Sequence, residues 1–301
     1  MYKVASLLLI GALAGCSNSS AHESRNENRT PDLRTLTSAR EYAGEKSLTA
    51  NVEFAAGRLN VTPGPAGTLY HAVLHYDQRQ FQPEVSYANG ALHVGMRGDH
   101  VTVGHGSEHG NRLDLALGPD VPLDLDLKFA AGESNIELGG LQVERAQFAT
   151  GAAKGRIAIS RPTVGPCSDL ELQVGAARMD VVGIGNLSPE QMRVQGGVGD
   201  LNLDFSGAWR NDVNAKIDMG LGSLRLDVPR GVGLRVQKTS MLARFEAPEM
   251  TRQGDVWVSS GYESARQHLN IAIDAAFGAI RVKWIAANAA PAAPVDTGSS
   301  F

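Results

Sequence analysis

Apolar and polar residues alternate along most of the chain between residues 48 and 285. The alternation is clear in LTANVEFAAGRLNV from Leu48, in LDLALGPDVPLDLDLKF from Leu113 and in HLNIAIDAAFGAIRVKW from His268. A period of two predicts β-strands that bury one face. The helical period is almost absent, and the one helical turn that the sequence predicts is LSPEQM, Leu187–Met192. The pattern therefore predicts an all-β protein.

The alternating segments repeat at a nearly constant interval. In each unit one alternating segment leads to a small residue, and the first apolar residue of a second segment follows two positions later. Six of these small residues lie 21 to 23 positions apart, and a seventh follows after 35: Ser134, Gly155, Ala177, Gly199, Gly222, Ala243 and Gly278. Such a period in a β-rich chain predicts a solenoid of stacked units, with an extra loop before the seventh.

One unit shows how the repeat works. From Asn214 to Pro229, alternate apolar residues give one inward face on each side of the corner Gly220–Leu221–Gly222. Glycine suits this corner because stacked backbones approach each other closely there and a positive φ is available. We therefore expect each unit to be two strands joined at a glycine corner.

The N-terminus has the features of an export signal. Lys3 precedes the apolar run Val4–Leu13, which at about 10 residues is too short to span a bilayer that needs ~20. The run ends in Leu-Ala-Gly-Cys, which resembles the lipobox of bacterial lipoproteins. That resemblance implies cleavage after residue 15, a lipid on Cys16 and, since Ser17 follows, sorting to the outer membrane. The alternative is an ordinary signal with a coincidental cysteine.

The rest of the chain divides by composition. Residues 1–15 are the predicted signal peptide and 16–47 a polar, flexible tether, since they contain too few apolar residues to fold. Residues 48–121 form an N-terminal β section and 122–285 the solenoid repeats. The Ala/Pro-rich residues 286–301 are predicted to be disordered.

Charge and cysteine content narrow the function classes. The 301 residues carry a net charge of -4 and no basic cluster, which argues against a nucleic-acid partner. There are two cysteines; if Cys16 carries lipid, Cys167 has no intramolecular partner. Cys167 is then either an inert thiol or the site of an intermolecular disulfide.

Several segments resemble the toast-rack family of bacterial envelope proteins, which is related to the β-domain of LiaF-type cell-wall-stress proteins. They are GGLQVERAQFATGAAKGRIAIS, FSGAWRNDVNAKIDMGLGSLRLDVPRGVGLRV, GYESARQHLNIAIDAAFGAIRVKW and, upstream, FAAGRLNVTPG and FQPEVSYANGALHV. The resemblance implies a right-handed, single-stranded β-helix-like stack with an antiparallel N-terminal section. The corners in VGAARM and TSMLARF depart from the glycine pattern. The family supplies no catalytic residues to carry over.

Two alternatives involve chemistry. Six histidines could supply metal ligands together with a carboxylate: His71, His75, His93, His100, His105 and His109. A polysaccharide-active enzyme would need paired carboxylates, and Asp180, Asp204, Asp218 and Asp227 recur at outward positions, where a solvated sheet face also explains them. No nucleotide-binding or hydrolase motif is present.

The sequence therefore predicts no catalytic residue, no metal site and no cofactor. It predicts a lipid-anchored, non-enzymatic envelope β-solenoid that acts as a scaffold, a partner-binding module or a stress-response component. Its partners would be the membrane, through the lipid, and an envelope protein or glycan. The oligomeric state is left open.

Overall fold

A computed structural model describes residues 32–98, 110–239, 242–287, 289 and 291. All its strands belong to one sheet. The strands are Leu33–Glu41 (β1), Leu48–Pro63 (β2), Thr68–Asp77 (β3), Phe81–Ala88 (β4), Ala91–Gly98 (β5), Arg112–Leu117 (β6), Pro122–Glu137 (β7), Gln142–Ala158 (β8), Cys167–Val182 (β9), Pro189–Asp204 (β10), Val213–Pro229 (β11), Gly233–Thr239 (β12), Leu242–Glu246 (β13), Met250–Gln253 (β14), Val256–Ser259 (β15) and His268–Ile285 (β16). A four-residue helix, Ile184–Leu187 (α1), and a 3₁₀ turn, Tyr262–Ser264, complete the described regular structure.

Long parallel strands form the body of the protein. β7 to β11 and β16 lie side by side in order, and each is 16 to 18 residues long. The loops between them continue the hydrogen-bonded ladder: Ile159 N donates to Val182 O at 2.8 Å and Phe205 N to Asp227 O at 2.9 Å. Each repeat is thus one bent strand and a return loop, stacked on the next repeat as a layer. The fold is mostly β, with one large and largely parallel sheet; the handedness of the coil stays a prediction.

The spatial order differs from the chain order at both ends of the stack. β2 lies between β7 and a layer made of two pieces, β5 and β6, while β16 lies between β11 and the two pieces β12 and β13. The predicted sequential stacking of the last units, Gly222 then Ala243 then Gly278, is therefore wrong. The predicted extra loop is the antiparallel hairpin β14–β15, which brings the chain back so that β16 enters one layer inside the end.

The predicted N-terminal boundaries also change. β2 is itself a long strand parallel to β7, so the antiparallel prediction holds only for the pairs β1–β3, β3–β6 and β4–β5. Residues 33–41 of the predicted tether form β1. This polar strand is mostly exposed, so hydrogen bonds to β3 place it rather than burial. Residues 16–31 lie outside the described residues. Of the predicted C-terminal tail, Pro291 packs beside Gly183, where an added Cβ would lie 2.9 Å from its Cγ.

The predicted repeat register is confirmed for most neighbouring layers: Ser134 pairs with Gly155 and Ala177 with Gly199, as predicted. Gly199 pairs with Gly222, as predicted, whereas Gly222 pairs directly with Gly278 because Ala243 of β13 lies on the other side of β16. Gly155, however, pairs with Met179 rather than Ala177. A Cβ on Gly155 would lie 2.5 Å from Met179 Cε, so this glycine makes room for a core side chain and does not mark the corner.

The predicted helical turn lies three residues too late. Helix α1 ends at Leu187, Ser188 adopts a left-handed φ of 46°, and Pro189 already begins β10. Proline fixes φ and lacks an N–H, so it can stand either in the first turn of a helix or at the first residue of a strand. The sequence around Pro189 is therefore compatible with both.

The core runs as one column through all layers. The inner faces of the strands carry buried apolar residues, and Phe54 and Phe129 of neighbouring layers stack with ring centroids 6.0 Å apart. The two arms of each bent strand cover two sides of the core. Buried residues of the return loops, such as Ile159 and Phe205, cover the remaining side. Because each layer covers the next, no single repeat has a core of its own.

The bend of each long strand depends on close backbone contact between layers. Gly222 has φ +146°, and a Cβ there would lie 1.8 Å from Gly199 O; Gly278, at φ +134°, stands in the same relation to Gly222 O. Neither the left-handed backbone nor the contact tolerates a side chain. Ala177 and Ala243 occupy the same position in other layers, where the strand bends without a positive φ.

We predict that Gly222→Ala lowers the free energy of unfolding by about 3 to 5 kcal/mol, because backbone strain and the clash with Gly199 O add together. Gly231→Ala is the matched control: its φ is +101° but no atom lies within 4 Å of the added Cβ, so only the strain of about 1 to 2 kcal/mol remains. Chemical denaturation of both variants measures the difference. Equal losses would contradict the close interlayer contact.

Candidate binding face

Residues at equivalent positions of successive layers form columns along the stack. Before the bend, one outward column carries mainly charged and amide side chains: Glu53, Lys128, Ala149, Gln173, Gln195, Asp218 and Asp274. Beside it runs a column of glycine and alanine from β2 to β16. The two columns line a groove of about 1460 Å³ along the stack axis. Since the second column has almost no side chains, backbone forms much of the groove floor.

The charge changes along this groove. At the β2 end, Lys128 Nζ lies 3.0 Å from Glu53 Oε1, and this hydrogen bond is the main reason why the pKa of Glu53 is lowered. At the β16 end, the neighbouring carboxylates Asp218 and Asp274 make the groove acidic, and Lys216 lies 3.4 Å from Asp218. Amides lie between the two ends. The groove therefore has a polar centre and ends of different charge.

The next column, at the bend itself, is apolar and exposed. We call it the bend column. Its members in β10, β11, β16 and β13 are adjacent in register, and their exposed fractions are Val198 55%, Leu221 48%, Phe277 51% and Leu242 65%. Only Leu33 and Val164 are comparably exposed large apolar residues elsewhere in the described part of the chain. Four apolar side chains thus stand in one row instead of being scattered.

The side chains of the bend column change in size along the stack. In β7, β8 and β9 its members are Ala131, Ala152 and Ala176. A hollow of about 530 Å³ lies beside Ala152, Ala176 and Val198 and is bordered by Lys154 and Arg178. The groove, the bend column and this hollow together form what we call the bend face.

An ion pair borders the middle of the bend face. Arg178 Nη2 lies 3.3 Å from Asp200 Oδ2, and Ser223 Oγ donates to Asp200 Oδ1 at 2.5 Å. The hydroxyl and then the guanidinium lower the pKa of Asp200, which is solvent-exposed. The middle of the face thus carries fixed charges of both signs on a rim open to water.

Three of the six clustered histidines lie within the described residues, and the structure places them on two strands. His71 and His75 lie on β3, which pairs with β6, and His93 lies on β5; β6 and β5 pair with different halves of β2. The other three histidines of the cluster lie outside the described residues, as does Cys16. Within the described ranges, no three His, Cys, Asp or Glu side chains are grouped so that they could hold a metal ion.

Two of the four recurring aspartates are not on the solvated face. Asp204 and Asp227 are neighbours in register and are both buried. Ser206 N donates to Asp204 Oδ1 at 2.7 Å, and Arg225 Nε to Asp227 Oδ1 at 2.8 Å. Burial raises the pKa of Asp204. Both residues lie where a strand meets its return loop, so the surface interpretation is wrong for them.

Cys167 begins β9 and its side chain is fully buried. Desolvation raises the pKa of its thiol to about 12. A thiol with this pKa and no exposure is protonated at neutral pH and inaccessible, which favours the inert interpretation over an intermolecular disulfide.

Sequence reasoning missed the bend column. Its large members Val198 and Leu221 are the middle residues of the corners Gly-Val-Gly and Gly-Leu-Gly, where a period of two no longer assigns a face. The sequence did contain a signal for this column, because a large apolar residue recurs at the middle of successive corners.

The fold defines a mostly-β module with a stacked, largely parallel sheet. Residues 22–166 and 163–227 match the family described as the N-terminal domain of toast_rack, DUF2154, and the chain belongs to this family. The resemblance drawn from the sequence is thereby confirmed.

Several solved structures match the chain at low identity. One is a candidate cell adhesion protein from Clostridium sporogenes, with 17% identity over 84% of this chain and 100% of that chain and a TM-score of 0.44. A candidate adhesin from Bacteroides fragilis has 13% identity over 83% and 97% of the two chains and a TM-score of 0.40. A candidate lipid-binding protein from Parabacteroides distasonis has 11% identity over 85% and 98% and a TM-score of 0.29. No curated protein sequence matches the chain. Among the described residues, no helix has the length and apolar character needed to cross a bilayer.

We predict that Cys167 resists thiol reagents in the folded protein at pH 8 and reacts within minutes in denaturant. The experiment uses the full chain with Cys16→Ser; adding the exposed Ser160→Cys gives a control thiol that labels rapidly in the folded state. Because the folded pKa is raised, the thiol contributes stability below the unfolded pKa of about 8.5 and loses it as pH rises toward 12. Rapid native labelling of Cys167 would refute its burial.

Proposed function

We propose that this protein is a lipid-anchored, non-enzymatic module of the bacterial envelope that binds a protein partner through the bend face, as a scaffold or stress-response component. The observation that carries the proposal is the row Val198, Leu221, Phe277 and Leu242, which leaves four large apolar side chains half exposed. Contiguous exposed apolar residues with a polar border are characteristic of protein-interaction sites.

The composition of the bend face supports a protein partner. Apolar side chains lie at its centre, while the charged and amide residues of the groove and the Arg178–Asp200 pair lie at its border. Covering such apolar residues contributes most of the binding free energy, and the charges select orientation. Glycan binding is the second possibility for the groove, but no exposed aromatic ring lines it among the described residues.

The carboxylates support a non-enzymatic role. A glycosidase needs two carboxyl groups that both reach the substrate. Asp204 and Asp227 are buried and held by hydrogen bonds from Ser206 and Arg225, and Asp218 lies beside Lys216. These contacts suit structural ion pairs better than an acid and a nucleophile.

The anchor is proposed from the sequence. Cys16 would carry the lipid and residues 17–31 would connect it to β1, with the folded part at the outer membrane. One acyl chain binds a membrane marginally and two or three bind it durably. We expect Cys16→Ser to give an uncleaved precursor or a mislocalised protein, measured by membrane fractionation and mass spectrometry of the N-terminal peptide. A wild-type protein that is wholly soluble and carries no lipid would contradict the anchor.

The binding proposal is tested by a photo-crosslinking amino acid placed at Leu221 in cells. We expect covalent adducts to one or a few proteins, identified by mass spectrometry. The matched control is the same amino acid at Val164, which is 53% exposed but lies away from the bend face, and which should give no specific adduct. Equal adduct patterns at both positions, or adducts to glycan alone, would contradict a protein-binding bend face.

Metal content distinguishes the metal-binding alternative. If the proposed function holds, purified protein retains no stoichiometric metal after dialysis, and chelators leave its melting temperature unchanged. One metal ion per chain, lost with His105→Ala, would instead support the metal-binding protein.

A further inference from the structure

We infer that the partner of the bend face is a second copy of this chain, bound antiparallel about a two-fold axis between the levels of β9 and β10. The inference rests on the proposed protein-binding role of this face and names its partner.

The size pattern of the bend column is the first argument. From the level between β9 and β10 toward β7, the bend column contains only alanine. From the same level toward β16, it contains only large apolar residues. The alanines are Ala176, Ala152 and Ala131, and the large residues are Val198, Leu221 and Phe277. The column is therefore divided into equal halves of opposite size.

We place the two-fold axis in the plane of contact, perpendicular to the stack axis. Rotation about it sets the second copy face to face with the first and reverses the direction of its stack. Ala176 then faces Val198 of the second copy, Ala152 faces its Leu221, and Ala131 faces its Phe277. Every large side chain meets a small one, and the hollow of about 530 Å³ beside Ala152 and Ala176 receives the protruding side chains. A parallel arrangement would place the large side chains of one copy against the large side chains of the other. The two alanine halves would then be held apart, and the dispersion attraction between those halves would be weak.

Charge complementarity is the second argument. The same operation keeps each bordering column on its own side and reverses its direction. Lys128 then faces Asp274 of the second copy, and Gln173 faces its Gln195. On the other border, Arg178 faces Asp200 of the second copy, so the existing ion pair at 3.3 Å becomes part of a four-residue network. An isologous interface requires this self-complementarity, since each residue meets its symmetry-related position.

The size of the face sets the expected strength. Six layers at about 4.8 Å spacing and roughly five columns give a total buried area on the order of 1,000 to 1,200 Å², at the low end for specific interfaces. We therefore expect a dimer with a Kd in the micromolar range, strengthened where the anchor concentrates the protein on one membrane.

Sedimentation velocity of the purified chain from about 1 to 200 μM tests the dimer. We expect a concentration-dependent shift from monomer to dimer. Leu221→Glu and Ala152→Glu, one in each half of the column, should each weaken association at least tenfold, and Val164→Glu should leave it unchanged. All three positions are exposed in the described structure, so circular dichroism and melting temperature should match the wild type. A wild-type monomer at 200 μM, or a dimer that survives both column variants, would overturn the inference.

Crosslinking tests the orientation. In the Cys16→Ser background, a short bismaleimide should join Ala152→Cys to Leu221→Cys when the two variants are mixed. Neither variant alone should crosslink, since equivalent residues lie about three layers, or ~14 Å, apart along the axis. Self-crosslinking of Leu221→Cys alone would show a parallel dimer and overturn the antiparallel one.

The two proposals fail differently. If the chain is monomeric at all concentrations while Leu221 photo-crosslinks another envelope protein in cells, the second copy is the wrong partner and the binding face stands. If the chain is monomeric and Leu221 gives no specific adduct, both are wrong. A Leu221 adduct that contains two copies of this chain supports both.

Discussion

In-register parallel pairing between layers is the constraint on which the rest of this structure depends. It places equivalent residues of every repeat directly above one another, so that a choice at one position is repeated along the whole stack. At the bend it brings Gly222 so close to Gly199 O that a side chain is excluded. On the inner face it joins the apolar residues into one core, and on the outer face it turns single residues into columns.

The same constraint creates a problem at the ends, where a layer would expose unpaired backbone. The protein resolves it in a similar way at both ends. A long strand, β2 or β16, is enclosed one layer inside, and the outermost layer is built from two shorter pieces. Of these pieces, β5, β6 and β12 pair with antiparallel strands. Such strands cover most of the edge and limit open-ended growth of the sheet.

The surface columns connect the fold to its proposed role. A row of half-exposed apolar side chains persists only if it has a use or a partner, because it gains nothing from the core. Here the row follows from the corner geometry: the residue between two small corner residues points outward, and in β10, β11 and β16 that residue is Val198, Leu221 or Phe277. The layers thus display a surface, the proposed binding face, whose side-chain size and charge vary from one end to the other.

The amino-acid sequence by itself determined most of the strands, the repeat and the pairing of Gly199 with Gly222, because alternation at a fixed interval favours a parallel register that keeps apolar residues inside. A shift of two residues keeps the same face inside, so alternation did not exclude the wrong pairing of Gly155 with Ala177. The sequence also indicated the family. The tertiary structure alone decided the order of the end layers, since a hairpin returns the chain equally well over either edge and alternating strands have no preference among neighbours. It also decided the burial of Asp204 and Asp227 and the exposure of the bend column: these depend on where each strand meets a loop or a corner, and there the period of two no longer specifies which side faces water.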